Sequence, residues 1–344
     1  MHSRIRSVFV AAGTAALINA GLSACAPKPH SLSIVGETMG TSYSVKLANC
    51  PTPDCLTELE PRIEQRLEQI NSAMSTYDPQ SELSRFNTAR SVDWISVSTD
   101  LYTVVAHAHA VSELTGGAFD ITVAPLVNAW GFGPESLAGK QPAADRSQIA
   151  GPATGYERIE LRDDPPGIRK RTSRMSIDLS GIAKGFGVDE IARVLDDYGI
   201  SSYLVEIGGE VRGRGTRPDG KPWRIAVEHP AIGTRRLDGI VELADLSIAT
   251  SGDYRNFYVE DGQRYSHTID PTTAAPVRHG LASVSVIDPS AMHADAMATA
   301  LMVLGPERGL ALAQEHGMAA AFVVRRDDGY QQMMTPPFRR LLVD

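Results

Sequence analysis

Ala294-Asp295-Ala296-Met297-Ala298-Thr299 is the stretch from which the fold is read. It lies between a strand-like run, Leu281 to Ile287, and the apolar residues Leu301 to Leu304. Alanine, methionine and leucine favour helix. On a helix Asp295 and Thr299 stand four apart, so a carboxylate and a hydroxyl share one face. Two hard oxygen ligands one turn apart suit Mg²⁺ held against a phosphate. The pattern equally suits a helix with an acid at the positive end of its dipole and a buried threonine. The expected architecture is mixed α/β, with helices packed on largely antiparallel sheets.

A second stretch has related chemistry. Ser176 to Leu179 reads as a strand and leads into Ser180-Gly181-Ile182-Ala183-Lys184-Gly185-Phe186-Gly187. Val188, Ile191, Ala192 and Leu195 continue as an amphipathic helix stopped by Gly199. Strand, small-residue turn and helix together present backbone N–H groups to an anion, and Lys184 adds a point charge. The glycine spacing is neither a Walker loop nor a dinucleotide fingerprint. Tight strand–helix packing is the other reading. Further on, Tyr265 to Pro271 places His267 at the end of an extended run, three residues before Asp270. Such a histidine is either a general base, given a pKa near neutrality, or structural.

The flanks read as follows. Ser31 to Val35 and Ser42 to Leu47 are strands about a turn carrying Met39, whose polarizable sulfur suits the face of an aromatic ring. Leu56 to Met74 and Thr99 to Leu114 fit helices. Between them Tyr77 stands on a loop, as a stacking platform or simply packed. His107 and His109 are two apart and make a poor metal pair. Gly116 to Val123 turns the chain, Val127 to Gly133 holds Trp130, and Leu137 to Ala153 is a polar insertion. Tyr203 to Ile207 is a strand ending in Gly208-Gly209-Glu210. Trp223 to Val227, Gly239 to Leu243 and Leu246 to Ala249 are strands, and Thr250 to Arg255 is a donor-rich loop. Glu307 to His316 is helical, and Phe322 to Val324 with Gln331 to Met334 form a hairpin around Asp328-Gly329.

The chain has 344 residues and a formal charge of −8. It has no basic stripe, so nucleic acid is not an expected partner. Arg4 and Arg6 followed by the apolar Val8 to Leu22 read as an export signal over residues 1–24. Leu22-Ser23-Ala24-Cys25 resembles the lipobox of bacterial lipoproteins. On that resemblance Cys25 becomes a lipidated N-terminus, residues 25–31 form a tether and residues 32–344 the working domain. The expected location is then the bacterial cell membrane, lipid-anchored on the periplasmic side. An ordinary signal peptide or an uncleaved anchor are the alternatives. Without Arg4 and Arg6 the charge becomes −10, so acyl chains rather than surface charge would hold the membrane. Cys50 and Cys55 either close a small loop or stay free thiols. No Gly-x-Ser-x-Gly elbow and no His-Glu-x-x-His pair occurs, which argues against serine and zinc hydrolases.

An ordered set of segments resembles the ApbE family of FAD:protein FMN transferases. It comprises Met39-Gly40-Thr41, Ser75-Thr76-Tyr77 with Ser84 to Asn87, and Phe119 to Leu126 with Trp130 to Gly133. It continues with Asp178 to Gly185, Thr250 to Asn256, His267 to Pro271 and Ala294 to Thr299. The resemblance implies an α+β, ApbE-like fold related to the T-fold. It implies Mg²⁺-dependent transfer of FMN from FAD to a threonine hydroxyl of a target flavoprotein, with release of AMP. Gly181 through its carbonyl, Asp295 and Thr299 would bind magnesium. Met39 and Tyr77 would flank the isoalloxazine ring. Ala118, Phe119, Asp120, Asp178, Lys184 and Ile269 would line the FAD site, and His267 would be the base. Implied acceptors are subunits of sodium-pumping NADH:quinone reductases, Rnf-type complexes or nitrous-oxide-reductase maturation flavoproteins. Some relatives instead hydrolyse FAD to FMN and AMP, as pyrophosphatases, or only bind flavin. The family often carries glycine where this chain has Ala274, and losing it restricts that loop's backbone.

Overall fold

Helices and antiparallel strands of a computed structural model describe residues 31–134, 153–228, 237–253, 256–260, 262–327 and 329–343. The export signal, Cys25, nearly all of the tether, the body of the polar insertion, Tyr254, Arg255 and the turn residue Asp328 lie outside the described residues.

Eight strands build the main sheet. They are β1 (Leu32–Thr38), β2 (Thr41–Leu47), β3 (Tyr203–Ile207), β4 (Glu210–Arg214), β5 (Leu246–Gly252), β6 (Leu281–Asp288), β7 (Ala319–Arg326) and β8 (Gly329–Met334). Their spatial order is their chain order, and every neighbouring pair is antiparallel. The α+β class and the antiparallel sheets agree with the sequence reading. The β1–β2 turn has positive φ at both Met39 (51°) and Gly40 (71°), as a two-residue hairpin between right-twisted strands requires.

The helices are α1 (Cys55–Met74), α2 (Glu82–Thr88), α3 (Thr99–Leu114), α4 (Ala124–Ala129), α5 (Ala183–Asp197), α6 (Ala291–Glu315) and α7 (Pro336–Leu341). In α1 the buried Leu59, Ile63, Leu67, Ile70 and Met74 follow the helical period. Cys50 and Cys55 are joined by a disulfide at its start. Helix α6 differs from an ordinary surface helix. Ala294, Ala296, Met297, Ala298, Ala300, Leu301 and Met302 are all buried, so it is apolar all round and lies against β5 and β6. Truncating Leu301 to alanine would cost about 2–5 kcal/mol. Gly305 (φ 79°) and Pro306 then break the helix, and a side chain at 305 would meet the His279 ring. No helix among the described residues is long and apolar enough to cross a membrane.

Two expectations need correction. Ser176 to Leu179 is not a strand. The Asn87 side chain donates to the Ile177 carbonyl and accepts from its N–H, both at 2.8 Å, so an amide side chain replaces a ladder partner. Thr250, Ser251 and Gly252 are not loop but the end of β5, where Thr250 and Ser285 hydroxyls meet at 2.8 Å across the strands. Their polar sequence reflects a strand end that faces a cavity.

Candidate active site

Two helices carry the two stretches on which the sequence reading rests. Asp189 of α5 reaches the start of α6. Its carboxylate accepts from Ser290 Oγ at 2.8 Å and from the Ala291 and Met292 N–H groups at 3.0 Å each. Those N–H groups have no partner within the helix, and the positive end of the dipole favours the carboxylate. Close contact is possible because position 185 is glycine. A Cβ there would fall 2.3 Å from the Ala291 carbonyl oxygen. Gly185 N–H donates to Asp295 Oδ2 at 3.0 Å.

The glycine turn therefore meets the oxygen pair. A Cβ on Gly181 would lie 3.0 Å from Thr299 Oγ1, so the turn backbone passes directly over that hydroxyl. Ser251 Oγ is 3.1 Å from Thr299 Oγ1. Lys184 Nζ lies 3.3 Å from Glu210 and 3.7 Å from Asp295 Oδ1. All these groups line one cavity of about 530 Å³. Of the predicted site residues, Ala118, Phe119, Asp120, Asp178, Gly181, Lys184, His267, Ile269, Asp295 and Thr299 stand on its wall.

Met39 and Tyr77 do not line the cavity. Met39 packs on α5 at Gly187, where a Cβ would lie 3.0 Å from its Cε. Tyr77 is 66% exposed on the loop between α1 and α2. Asp120 is on the wall, but its carboxylate is committed. It accepts from Thr122 N–H (2.8 Å), Thr122 Oγ1 (2.7 Å) and Tyr156 N–H (3.1 Å), and so fixes the turn into α4. Asp178 likewise accepts from Ser180 N–H at 2.7 Å and shapes the glycine turn. His107 meets His293 at 3.1 Å between ring nitrogens, away from the cavity wall.

Charge in the cavity is unusual. Burial pushes the Asp295 and Glu210 carboxyls up, against the pull of Lys184 between them. Burial alone would lower Lys184, but Asp295 and Glu210 hold its ammonium above the ordinary lysine range. Glu210 Oε2 is buried with no hydrogen-bond partner among the described residues. An acidic, desolvated pair with an uncommitted oxygen is relieved either by a proton, the direction in which burial pushes it, or by a further cation. Asp295, the Thr299 hydroxyl and the Gly181 carbonyl are hard oxygen donors of the kind magnesium takes. No cluster of three His, Cys, Asp or Glu side chains that could hold a metal occurs among the described residues.

His267 follows the short strand Gln263–Ser266, which pairs only with Phe257–Glu260. Its Nδ1 is 3.0 Å from the Asn256 carbonyl, which also accepts the His267 backbone N–H at 3.2 Å. A carbonyl only accepts, so Nδ1 carries the proton and Nε2 keeps its lone pair. Burial lowers the pKa of His267, which keeps the ring neutral at pH 7. The ring is thus held ready to take a proton. Sequence reading missed Glu210, Ser251 and Asn256. Only Gly208-Gly209 ahead of Glu210 marked that position, by the close approach of the chain to Thr41 and Lys184.

The sequence model of the ApbE family matches residues 39–322. The chain belongs to the ApbE family. It is 43% identical over 321 residues to the FAD:protein FMN transferase of Vibrio cholerae serotype O1, covering 93% of this chain and 96% of that protein. The solved flavin transferase ApbE from Vibrio cholerae matches with a TM-score of 0.84 and 42% identity, over 91% of this chain and 99% of that one. The apo flavinyl transferase ApbE of Pseudomonas stutzeri gives 0.82 and 40%, over 90% and 96%. As an ApbE protein the chain is a transferase enzyme.

Proposed function

We propose that this protein is a Mg²⁺-dependent FAD:protein FMN transferase that attaches FMN through a phosphoester bond to a threonine hydroxyl and releases AMP. The observation that carries the reading is the convergence of Gly181, Lys184, Asp295, Thr299 and His267 on one cavity. In the reaction the threonine oxygen forms a bond to the FMN phosphorus. The bond from that phosphorus to the oxygen shared with the AMP phosphate breaks, and AMP leaves with the electron pair. His267 Nε2 takes the hydroxyl proton, because a neutral hydroxyl is a weak nucleophile at pH 7. Lys184 lies on the wall where the diphosphate would sit, and the turn at Gly181 brings backbone close to it. Magnesium, held by Asp295, Thr299 and the Gly181 carbonyl, would neutralise charge on the phosphate oxygens. Met39 and Tyr77, which do not line the cavity, are our candidates to cover the flavin ring.

The acceptors we propose are periplasmic flavoproteins of the sodium-pumping NADH:quinone reductase, Rnf-type or nitrous-oxide-reductase maturation classes. We place the enzyme at the membrane through lipid on Cys25. The test is mass spectrometry of a recombinant sodium-pumping NADH:quinone reductase subunit after incubation with enzyme, FAD and Mg²⁺. The expected result is an FMN adduct on threonine and an equal amount of AMP. Rapid AMP release without any acceptor would instead mark an FAD pyrophosphatase. A flavin complex with neither product would mark a binding protein.

A further inference from the structure

We propose that a column of stacked aromatic rings, Trp130, Tyr265, Tyr258 and Phe132, is the positioning device of His267. This rests on the reading of His267 as the base and adds the residues that aim it.

The column is continuous. Trp130 and Tyr265 stack with ring centroids 5.6 Å apart, Tyr265 and Tyr258 at 5.3 Å, and Tyr258 and Phe132 at 5.3 Å. Interplanar angles are 29°, 22° and 29°, and the spacings lie in the range preferred by offset-stacked rings. Phe132 then meets the His267 ring edge-on at 6.3 Å and 67°. Tyr258 and Tyr265 are direct partners across the two-stranded ribbon, so both rings stand on one face of it.

Local sequence sets the far end. Gly131 (φ 82°) ends α4 and turns the chain back, which lets Phe132 bond to Val127 O at 2.9 Å. Gly133 follows because any side chain there would strike Asn128 Oδ1. Trp130 is anchored by its indole N–H, which donates to the Ala274 carbonyl at 2.9 Å. Leu126, Trp130 and Ile269 form a small buried cluster, with Tyr265, Phe132 and Ala274 packed on it. Tyr265 and Ile269 lie two residues before and two after His267, so the same cluster grips the chain on both sides of it.

The need for such a device follows from topology. Among the described residues, the ribbon Phe257–Glu260 with Gln263–Ser266 pairs with no strand of the main sheet. Backbone ladder bonds therefore do not tie His267 to β5 or α6, where the cation and phosphate groups stand. None of the four rings lines the cavity, although His267 and Ile269 do. The rings act on the base without touching the nucleotide, and small displacements of a catalytic group cost up to about 10²-fold in rate.

The experiment uses the purified enzyme, FAD, Mg²⁺ and a recombinant sodium-pumping NADH:quinone reductase subunit. Tyr258→Ala removes the middle ring and Phe132→Leu removes the ring that meets His267 while keeping bulk. The expected result is a fall in transfer kcat of roughly 10- to 100-fold in each. FAD affinity, read by flavin fluorescence, and KM for FAD should stay within about twofold, and Tyr258→Phe should restore kcat. NMR of the His267 ring should show its titration moving up toward the ordinary histidine value in Tyr258→Ala. Full kcat in both variants while His267→Ala loses transfer would overturn the proposal and leave the function reading intact. Equal loss of FAD affinity and kcat would also overturn it, since the rings would then build the nucleotide site. Full transfer by His267→Ala would remove the base itself, and this inference with it.

Discussion

Gly185→Ala is the sharpest perturbation the structure offers. The new Cβ would lie 2.3 Å from Ala291 O, 2.6 Å from Ala291 C and 2.8 Å from Met292 Cα. All three are backbone atoms at the start of α6, which Asp189 holds in place, so no side chain can swing aside. Reaching ordinary contact requires α5 and α6 to part by about 1 Å. Overpacking of this kind costs about 1–3 kcal/mol. The parting also weakens the bond from Gly185 N–H to Asp295, and a hydrogen bond to a charged group is worth about 1.5–3 kcal/mol. Better helix propensity of alanine returns about 1 kcal/mol. The net loss is about 1.5–5 kcal/mol, or roughly 2–8 °C in melting temperature for a domain of this length. Calorimetry with and without Mg²⁺ measures it, and the stabilisation given by Mg²⁺ should shrink as Asp295 shifts. Gly181→Ala is the control for the melting temperature without Mg²⁺ only: its nearest neighbours are Thr299 side-chain atoms at 3.0 and 3.2 Å, which can rotate. A Gly185→Ala protein that melts within about 1 °C of the parent, with the same Mg²⁺ response, would refute the claim that the two helices are locked at this point.

Other outcomes follow from single groups. Asp295→Ala should abolish Mg²⁺ stimulation of FMN transfer, measured as AMP released against Mg²⁺ concentration; persistent stimulation puts the metal elsewhere. The pH profile of kcat/KM should rise with a midpoint below the ordinary histidine value, because burial lowers the pKa of His267 and the base works deprotonated; a midpoint above that value contradicts this. Ala274 is held at φ 55°, in the left-handed region, so Ala274→Gly should stabilise the protein by about 0.5–1 kcal/mol after the entropy cost of glycine. Chemical denaturation measures that, and a loss would show that Ala274 makes good its strain. Lys170 is fully buried, its ammonium donates to the carbonyls of Phe86 and Met175, and desolvation lowers its pKa to about 8. Between pH 8 and 10 the unfolded chain keeps a proton here that the folded chain releases, so stability should rise with pH across that window. The rise should vanish in Lys170→Met, and an unchanged slope would clear Lys170 of the effect.

What the sequence disclosed depended on whether a residue's partner was local. Helices α1 and α3 were readable because their apolar residues repeat at the helical period and a break follows each. The antiparallel character of the sheets was expected, but the strand order was not readable, because ladder partners such as β2 and β3 are far apart in sequence. The segment 176–179 misled because its backbone bonds go to scattered partners, Ile177 to the side chain of Asn87 and Asp178 N–H to the Ile121 carbonyl, which no periodicity reports. Asp295 and Thr299 were legible as a pair one helical turn apart, and ordered motifs brought Lys184 and His267 with them. Glu210 was not, since a carboxylate after two glycines reads as a turn residue until the fold buries it beside Lys184. Asp120 illustrates the reverse case. Its position on the cavity wall was anticipated, yet its oxygens are occupied by Thr122 and Tyr156, a commitment only coordinates reveal.

The grip of Asp189 on the first residues of α6 has a consequence for how such an enzyme can diversify. Because one carboxylate fastens the helix of Lys184 to the helix of Asp295, the wall that carries these two residues is held as one piece. Gly185 leaves that junction little room to drift in sequence. Change in sequence finds more room on open surface such as the loop of Tyr77, where no packed neighbour holds the side chain.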